Sequence, residues 1–252
     1  MINRYFEINE NGNNIRCKIY CNDLHNIKKV VIFGHGFCGH KDNKAAEKFA
    51  GRVMTKYKNI AVITYNFPCH GDDVKKKLYL SDCIEYLDLV INYVKKTYTE
   101  EELYAYATSF GGFLVLTYIA QKGNPFRKIA LRCPVINMYE SLTQTIIKPD
   151  ELEMIEKGKP VPIGFDRKIA VNQDFLNELK NIDLMNVDFI DHADDIIIMH
   201  GTDDEVIKPA SVRDFAENNV IEFIPIEGAD HRFQNPNHME SAIKCILEFF
   251  AF

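Results

Sequence analysis

A serine hydroxyl attacks a carbonyl only when an imidazole takes its proton, and the imidazole needs a carboxylate to fix its tautomer and support its charge. Groups for that chemistry occur in the order serine, acid, histidine: Ser109, the run Asp203-Asp204-Glu205, and His231. Ser109 lies in Ala107-Thr108-Ser109-Phe110-Gly111-Gly112, ahead of the helical run Phe113-Leu114-Val115-Leu116. A serine on a sharp strand-to-helix turn requires small residues two before and two after it. Ala107 and Gly111 satisfy that requirement, with alanine where glycine is usual. Upstream, Gly34-His35-Gly36-Phe37-Cys38-Gly39-His40 forms a glycine-rich turn whose backbone N–H groups can face an oxyanion. Each feature has an ordinary structural reading: a packed strand end, a tight turn, a solvated acidic loop, a core histidine. Their joint order and placement argue for nucleophilic catalysis.

Placing these groups together requires a scaffold of strands with loops at one end. Strand patterns cover Ile15–Cys21, Lys29–Phe33, Ile60–Tyr65, Leu103–Ala107, Lys128–Arg132, Asp195–Met199 and Val220–Ile226. Most later runs are continuously apolar, as in strands covered on both faces. Between them, Ala46, Phe49, Ala50, Val53 and Met54 recur at helical spacing. So do Ile84, Leu87, Ile91 and Val94, and Ile243, Ile246, Leu247 and Phe250. The alternation predicts an α/β domain with a mostly parallel central sheet flanked by helices. In such sheets ligands meet the carboxyl ends of strands, where all four chemical segments fall. From about 135 to 190 no clear strand is read, and Lys148-Pro149-Asp150, Gly158-Lys159-Pro160 and Val161-Pro162 signal turns. This stretch reads as a cap or lid inserted into one domain spanning 1–252.

Composition narrows the function classes. With 30 Lys+Arg against 36 Asp+Glu, the net charge of the 252 residues is −6, unlike a general nucleic-acid binder. A 46% hydrophobic and 26% charged composition suits a packed globular core. No secretory signal and no apolar run long enough to span a bilayer are read, and seven scattered cysteines lack C-x-x-C pairs. The expectation is a reduced, soluble, cytoplasmic protein. Cys38 and Cys69 neighbour histidines but sit on no elbow, and no standard zinc-ligand spacing occurs. Gly34, Gly36 and Gly39 match a dinucleotide loop only in form, because no acid ends the next strand. No metal or organic cofactor is expected.

Taken together, His35-Gly36-Phe37, Asn66–Gly71, Ser109 with Gly111-Gly112, His200-Gly201-Thr202-Asp203-Asp204 and Glu227–His231 resemble the α/β-hydrolase superfamily over nearly the whole chain. Within it the likeness is to bacterial cinnamoyl or feruloyl esterases and to serine-aminopeptidase-like, monoacylglycerol-lipase-like hydrolases. The resemblance implies Asp204 as the acid, four residues after His200. It also implies the N–H groups of Phe37 and Phe110 as the oxyanion hole. Thr108 replaces the histidine common before the serine, and Cys69 a usual glycine. The implied function is hydrolysis of a small-molecule carboxylic ester through an acyl-enzyme, on short-acyl or hydroxycinnamoyl-type esters. His35, Gly36, Tyr139 and Phe165 are expected at the substrate. An aminopeptidase anchoring an amine on Glu140, Asp150, Glu151 or Glu153, a thioesterase or acyltransferase, and a non-catalytic receptor on the same fold are the alternatives.

Overall fold

A computed structural model describes residues 1–98, 102–164 and 167–252. Eight strands form one sheet: β1 (Ile2–Glu10), β2 (Asn13–Cys21), β3 (Lys29–Gly34), β4 (Ile60–Tyr65), β5 (Glu102–Thr108), β6 (Lys128–Arg132), β9 (Ile196–Gly201) and β10 (Glu222–Ile226). They lie in the order β1-β2-β4-β3-β5-β6-β9-β10. β1 and β2 run antiparallel, β2 meets β4 antiparallel, and every pair from β4 to β10 is parallel. The carboxyl ends of β3, β5, β9 and β10 therefore open on one edge of the sheet.

Side-chain alternation along the strands divides the core in two. Val31, Phe33, Val62, Tyr104, Tyr106 and Met199 pack under α1 (Lys44–Lys56) and α8 (Pro236–Phe250). Val30, Ile32, Ile63, Ala105, Ile129 and Ile198 face the other layer, which holds α2 (Leu80–Thr97), α3 (Phe110–Lys122) and α7 (Pro209–Asn218). The stripes read from the sequence supply the contact faces: Ala46, Phe49, Ala50, Val53 and Met54 are buried, as are Ile84, Leu87, Ile91 and Val94.

Two regions add to the sequence reading. β1 pairs with β2 over nine residues from Ile2↔Cys21 to Glu10↔Asn13, through an Asn11-Gly12 turn with both φ positive, at 52° and 76°. That dipeptide favours the tight hairpin turn whose twist matches the strands. Apart from Phe6 and Ile8, β1 is exposed, so no buried periodicity marked it. Between β6 and β9, the inserted stretch contains α4 (Met138–Glu140) continuing as a π-turn to Ile146, α5 (Pro149–Glu156), β7 (Val161–Ile163), β8 (Ile169–Val171) and α6 (Gln173–Lys180). The hairpin β7/β8 buries Val161, Ile163, Ile169 and Val171, but three residues per strand are too few for a period to stand out. No helix among the described residues is long and apolar enough to cross a membrane.

Candidate active site

Ser109 ends β5 as the N-cap of α3 with φ 52° and ψ −119°, a region that side-chain-bearing residues seldom occupy. Its N–H donates to Arg132 O at 3.1 Å, and its carbonyl accepts from Phe113 and Val135. The turn can tighten because Gly111 has no side chain: a Cβ there would lie 2.5 Å from Gly34 O and 2.6 Å from His35 O. β3 and α3 consequently approach closely. The small-residue requirement read at position 111 is a backbone contact.

Asp204 and His231 arrive on loops joined to each other. Thr202 N–H donates to Ile226 O, Asp203 N–H to Ala229 O, Gly228 N–H to Thr202 Oγ1, and His231 N–H to Glu205 Oε2. Across this junction His231 Nδ1 lies 2.7 Å from Asp204 Oδ2, and His231 Nε2 lies 3.0 Å from Ser109 Oγ. A carboxylate accepts only, so Nδ1–H donates to Asp204 and Nε2 is left to accept the Ser109 hydroxyl.

Asp204 is fully occupied. Oδ1 accepts from Val206 N–H at 2.9 Å and Ile207 N–H at 2.8 Å; Oδ2 accepts from His231 and from His200 Nε2–H, 3.1 Å away. Burial alone would raise its pKa, but the hydrogen bonds from His200 and His231 outweigh burial and hold the carboxyl well below the usual range. His200 shares its Nε2–H with Ile207 O at 3.0 Å. Burial pushes the nearby thiols up, Cys38 to about 12 and Cys69 to about 11, so neither is a thiolate at neutral pH.

The turn after β3 completes one wall. His35 is buried: its Nδ1–H donates to Gly36 O at 2.8 Å, and its Nε2 accepts Phe67 N–H at 3.3 Å. Both ring nitrogens are thus engaged by the protein, and His35 serves to hold the Gly36-Phe37 turn. Among the described residues no acceptor faces the Phe37 N–H, and Phe110 is the first residue of α3, where the N–H has no intrahelical partner. The Phe37 and Phe110 rings meet edge-on at 5.5 Å, and Phe175 of α6 stacks over Phe37 at 6.4 Å. Asn66 pins this wall, accepting Lys41 N–H at 2.8 Å; Gly71 has φ 62°, and a Cβ there would lie 2.7 Å from Asn66 Oδ1.

His70, behind the turn, is fully buried; its Nδ1–H donates to Pro68 O, and burial lowers its pKa to about 4. An unfolded histidine titrates near 6.5, so between pH 6.5 and 4 the unfolded chain binds the extra proton and stability falls as pH falls. His70 alone is expected to remove about 3 kcal/mol over that interval. Denaturant unfolding at pH 7 and pH 4 should show the loss, reduced by that amount in His70→Phe. An unchanged slope in the variant would mean that His70 is charged in the folded protein.

Ser109 and His231 open on a cleft of about 800 Å³, also lined by Gly36, Phe37, Thr108, Arg132, Ile146 and Phe233. Tyr139 instead packs against the core and does not line it, while Phe165 lies outside the described residues. Ile136, Met138, Leu142, Ile147 and Ile163 are buried and join the same hydrophobic cluster as Val30, Ile32 and Ile63 of the sheet. Arg132 is a further lining residue, whose mark in the sequence is a charge closing the apolar run Ile129-Ala130-Leu131.

A family model described as the prolyl oligopeptidase family matches residues 65–251. Among solved structures, Est1E from Butyrivibrio proteoclasticus with bound ferulic acid is similar over 98% of this chain and 100% of its own, at 17% identity and TM-score 0.76. A putative hydrolase from Agrobacterium vitis S4 is similar over 98% of both chains, at 12% identity and TM-score 0.75. Mouse alpha/beta hydrolase domain-containing protein 10 is similar over 98% of both, at 14% and 0.73. These likenesses establish the α/β-hydrolase fold.

Proposed function

The chain belongs to the prolyl oligopeptidase family of α/β-hydrolases, and from that premise we propose that it hydrolyses small carboxylic esters, short-acyl or hydroxycinnamoyl-type, through an acyl-enzyme on Ser109. The observation that carries this reading is the continuous relay from Asp204 through His231 to Ser109, at 2.7 and 3.0 Å, opening on the cleft. Ser109 Oγ attacks the acyl carbon while its proton passes to His231 Nε2, and Asp204 supports the imidazolium. The carbonyl oxygen becomes an oxyanion held by the N–H groups of Phe37 and Phe110. As the tetrahedral centre collapses, His231 gives the proton to the departing alcohol. Water then adds to the acyl-enzyme with His231 as base, and the acid leaves with Ser109 restored.

The family's name raises peptide hydrolysis as a second reading, and the cleft weighs against an aminopeptidase. An enzyme gripping a substrate ammonium group needs a carboxylate beside the site. None of Glu140, Asp150, Glu151 and Glu153 lines the cleft, whose charged groups are mostly cationic. The fold shared with ferulic-acid-bound Est1E supports the ester reading at the level of architecture.

A matched ester and amide sharing one acyl group test the choice. The ester is expected to turn over faster by about two orders of magnitude or more, and a fluorophosphonate should add its mass to the Ser109 peptide. A faster amide would make the protein a peptidase. Absence of both turnover and labelling would leave a receptor.

A further inference from the structure

The charge of the cleft opposes that of the chain. The whole protein carries a net charge of −6, yet Lys44, Lys48, Arg132 and Arg167 line the cleft against Asp42 as the lining carboxylate among the described residues. Asp42 is itself engaged by Lys18 at 3.1 Å and by the Tyr5 hydroxyl at 2.7 Å. The cationic excess is therefore not neutralised from within the described wall.

Arg132 stands apart from the exposed cations. It is 6% exposed, and its Nε and Nη1 are buried without a hydrogen-bond partner. Its guanidinium stacks on the Phe233 ring at 4.9 Å. No carboxylate among the described residues pairs with it. Asp204 is taken by four donors, and the buried Tyr106 hydroxyl, which interacts with the Arg132 guanidinium, is a neutral phenol that brings no counter-charge. An arginine cannot relieve this by losing its proton, and an unpaired buried charge is strongly unfavourable. Its position gives that cost a use. Arg132 pairs with Thr108 across the sheet, its carbonyl accepts the Ser109 N–H, and it lines the cleft that holds the Ser109 hydroxyl.

Resting on the serine-esterase reading above, we propose that the substrate is an ester bearing a free carboxylate, and that Arg132 anchors this carboxylate beside Ser109. The guanidinium is a permanent cation that donates a charge-assisted hydrogen bond to a carboxylate, and desolvation on the Phe233 ring strengthens the attraction. The outer Lys44, Lys48 and Arg167 steer the anion into the cleft and are screened by salt.

Two isosteric pairs test the proposal and locate the charge. Monoethyl glutarate against ethyl glutaramate places the carboxylate on the acyl side; 4-carboxyphenyl butyrate against 4-carbamoylphenyl butyrate places it on the alcohol side. In at least one pair the carboxylate ester is expected to have a kcat/KM about tenfold or more above its neutral isostere, mainly through KM. Arg132→Met should bring that ratio to near one, Arg132→Lys should keep part of it, and about 0.5 M salt should lower it. Ratios near one in both pairs, or a ratio indifferent to Arg132→Met in protein that unfolds normally, would overturn the proposal while leaving the esterase intact. If no ester is cleaved, the esterase reading fails. Calorimetric binding of the same pairs to Ser109→Ala then decides: Arg132-dependent preference for the carboxylate sustains the anchor, and equal binding ends it.

Discussion

Ser109→Ala is expected to lower kcat/KM for esters by at least about 10³-fold while leaving the folded protein intact. The two halves of that expectation have separate causes. The hydroxyl makes no cap hydrogen bond to α3, so removing it frees no buried helix N–H. Alanine carries the same Cβ through the same positive φ, so the strain of the elbow is unchanged. What is lost is the oxygen 3.0 Å from His231 Nε2 that forms the acyl bond in the proposed mechanism. The proposed oxyanion donors at Phe37 and Phe110 remain, so a residual rate above the uncatalysed reaction should persist. Steady-state kinetics beside thermal unfolding checks both halves. Full activity in a normally folded variant would remove Ser109 as nucleophile.

Asp204→Asn should cost about 10³- to 10⁴-fold in kcat. The reason lies in the four groups around the carboxylate, every one of them a donor: Val206 N–H, Ile207 N–H, His200 and His231. An asparagine has one acceptor end and one donor end, so wherever it turns, its NH₂ faces donors. Turned toward the histidines, it forces His231 into the Nε2–H tautomer, which can no longer accept the Ser109 proton. It also leaves His200 Nε2 as an acceptor facing Ile207 O at 3.0 Å. Turned the other way, it opposes the two backbone N–H groups and strains the loop after β9, with a cost of about 1–3 kcal/mol for the unmade bonds. Kinetics together with the stability of the variant separates the two orientations. A variant with wild-type kcat would mean that His231 does not depend on Asp204 for its tautomer.

Much of this site is legible in sequence because its parts are local. An elbow needs small residues at fixed offsets from its serine, and those offsets are visible as Ala107, Ser109 and Gly111. The apolar runs and helical stripes are visible for the same reason, since burial on one face imposes a period on neighbouring residues. Asn11-Gly12 is equally local, but the strand before it buries too little to show a pattern, so the hairpin carries no periodic mark.

Relations between distant segments carry no such mark. Ser109 and His231 are 122 residues apart, and only the zipped loops after β9 and β10 bring the imidazole to the hydroxyl. His35 and Tyr139 have residue types that suit a substrate contact, yet packing turns both away from the cleft. Conversely, Arg132 reads in sequence as one more charged residue at a strand end. That no carboxylate among the described residues pairs with it is a property of everything packed around it, and a property of absence among neighbours cannot be written into any short stretch of chain. The sequence thus specifies which groups can react. Which of them meet, and what charge they face across the cleft, depends on contacts that form only when the sheet brings its strand ends to one edge.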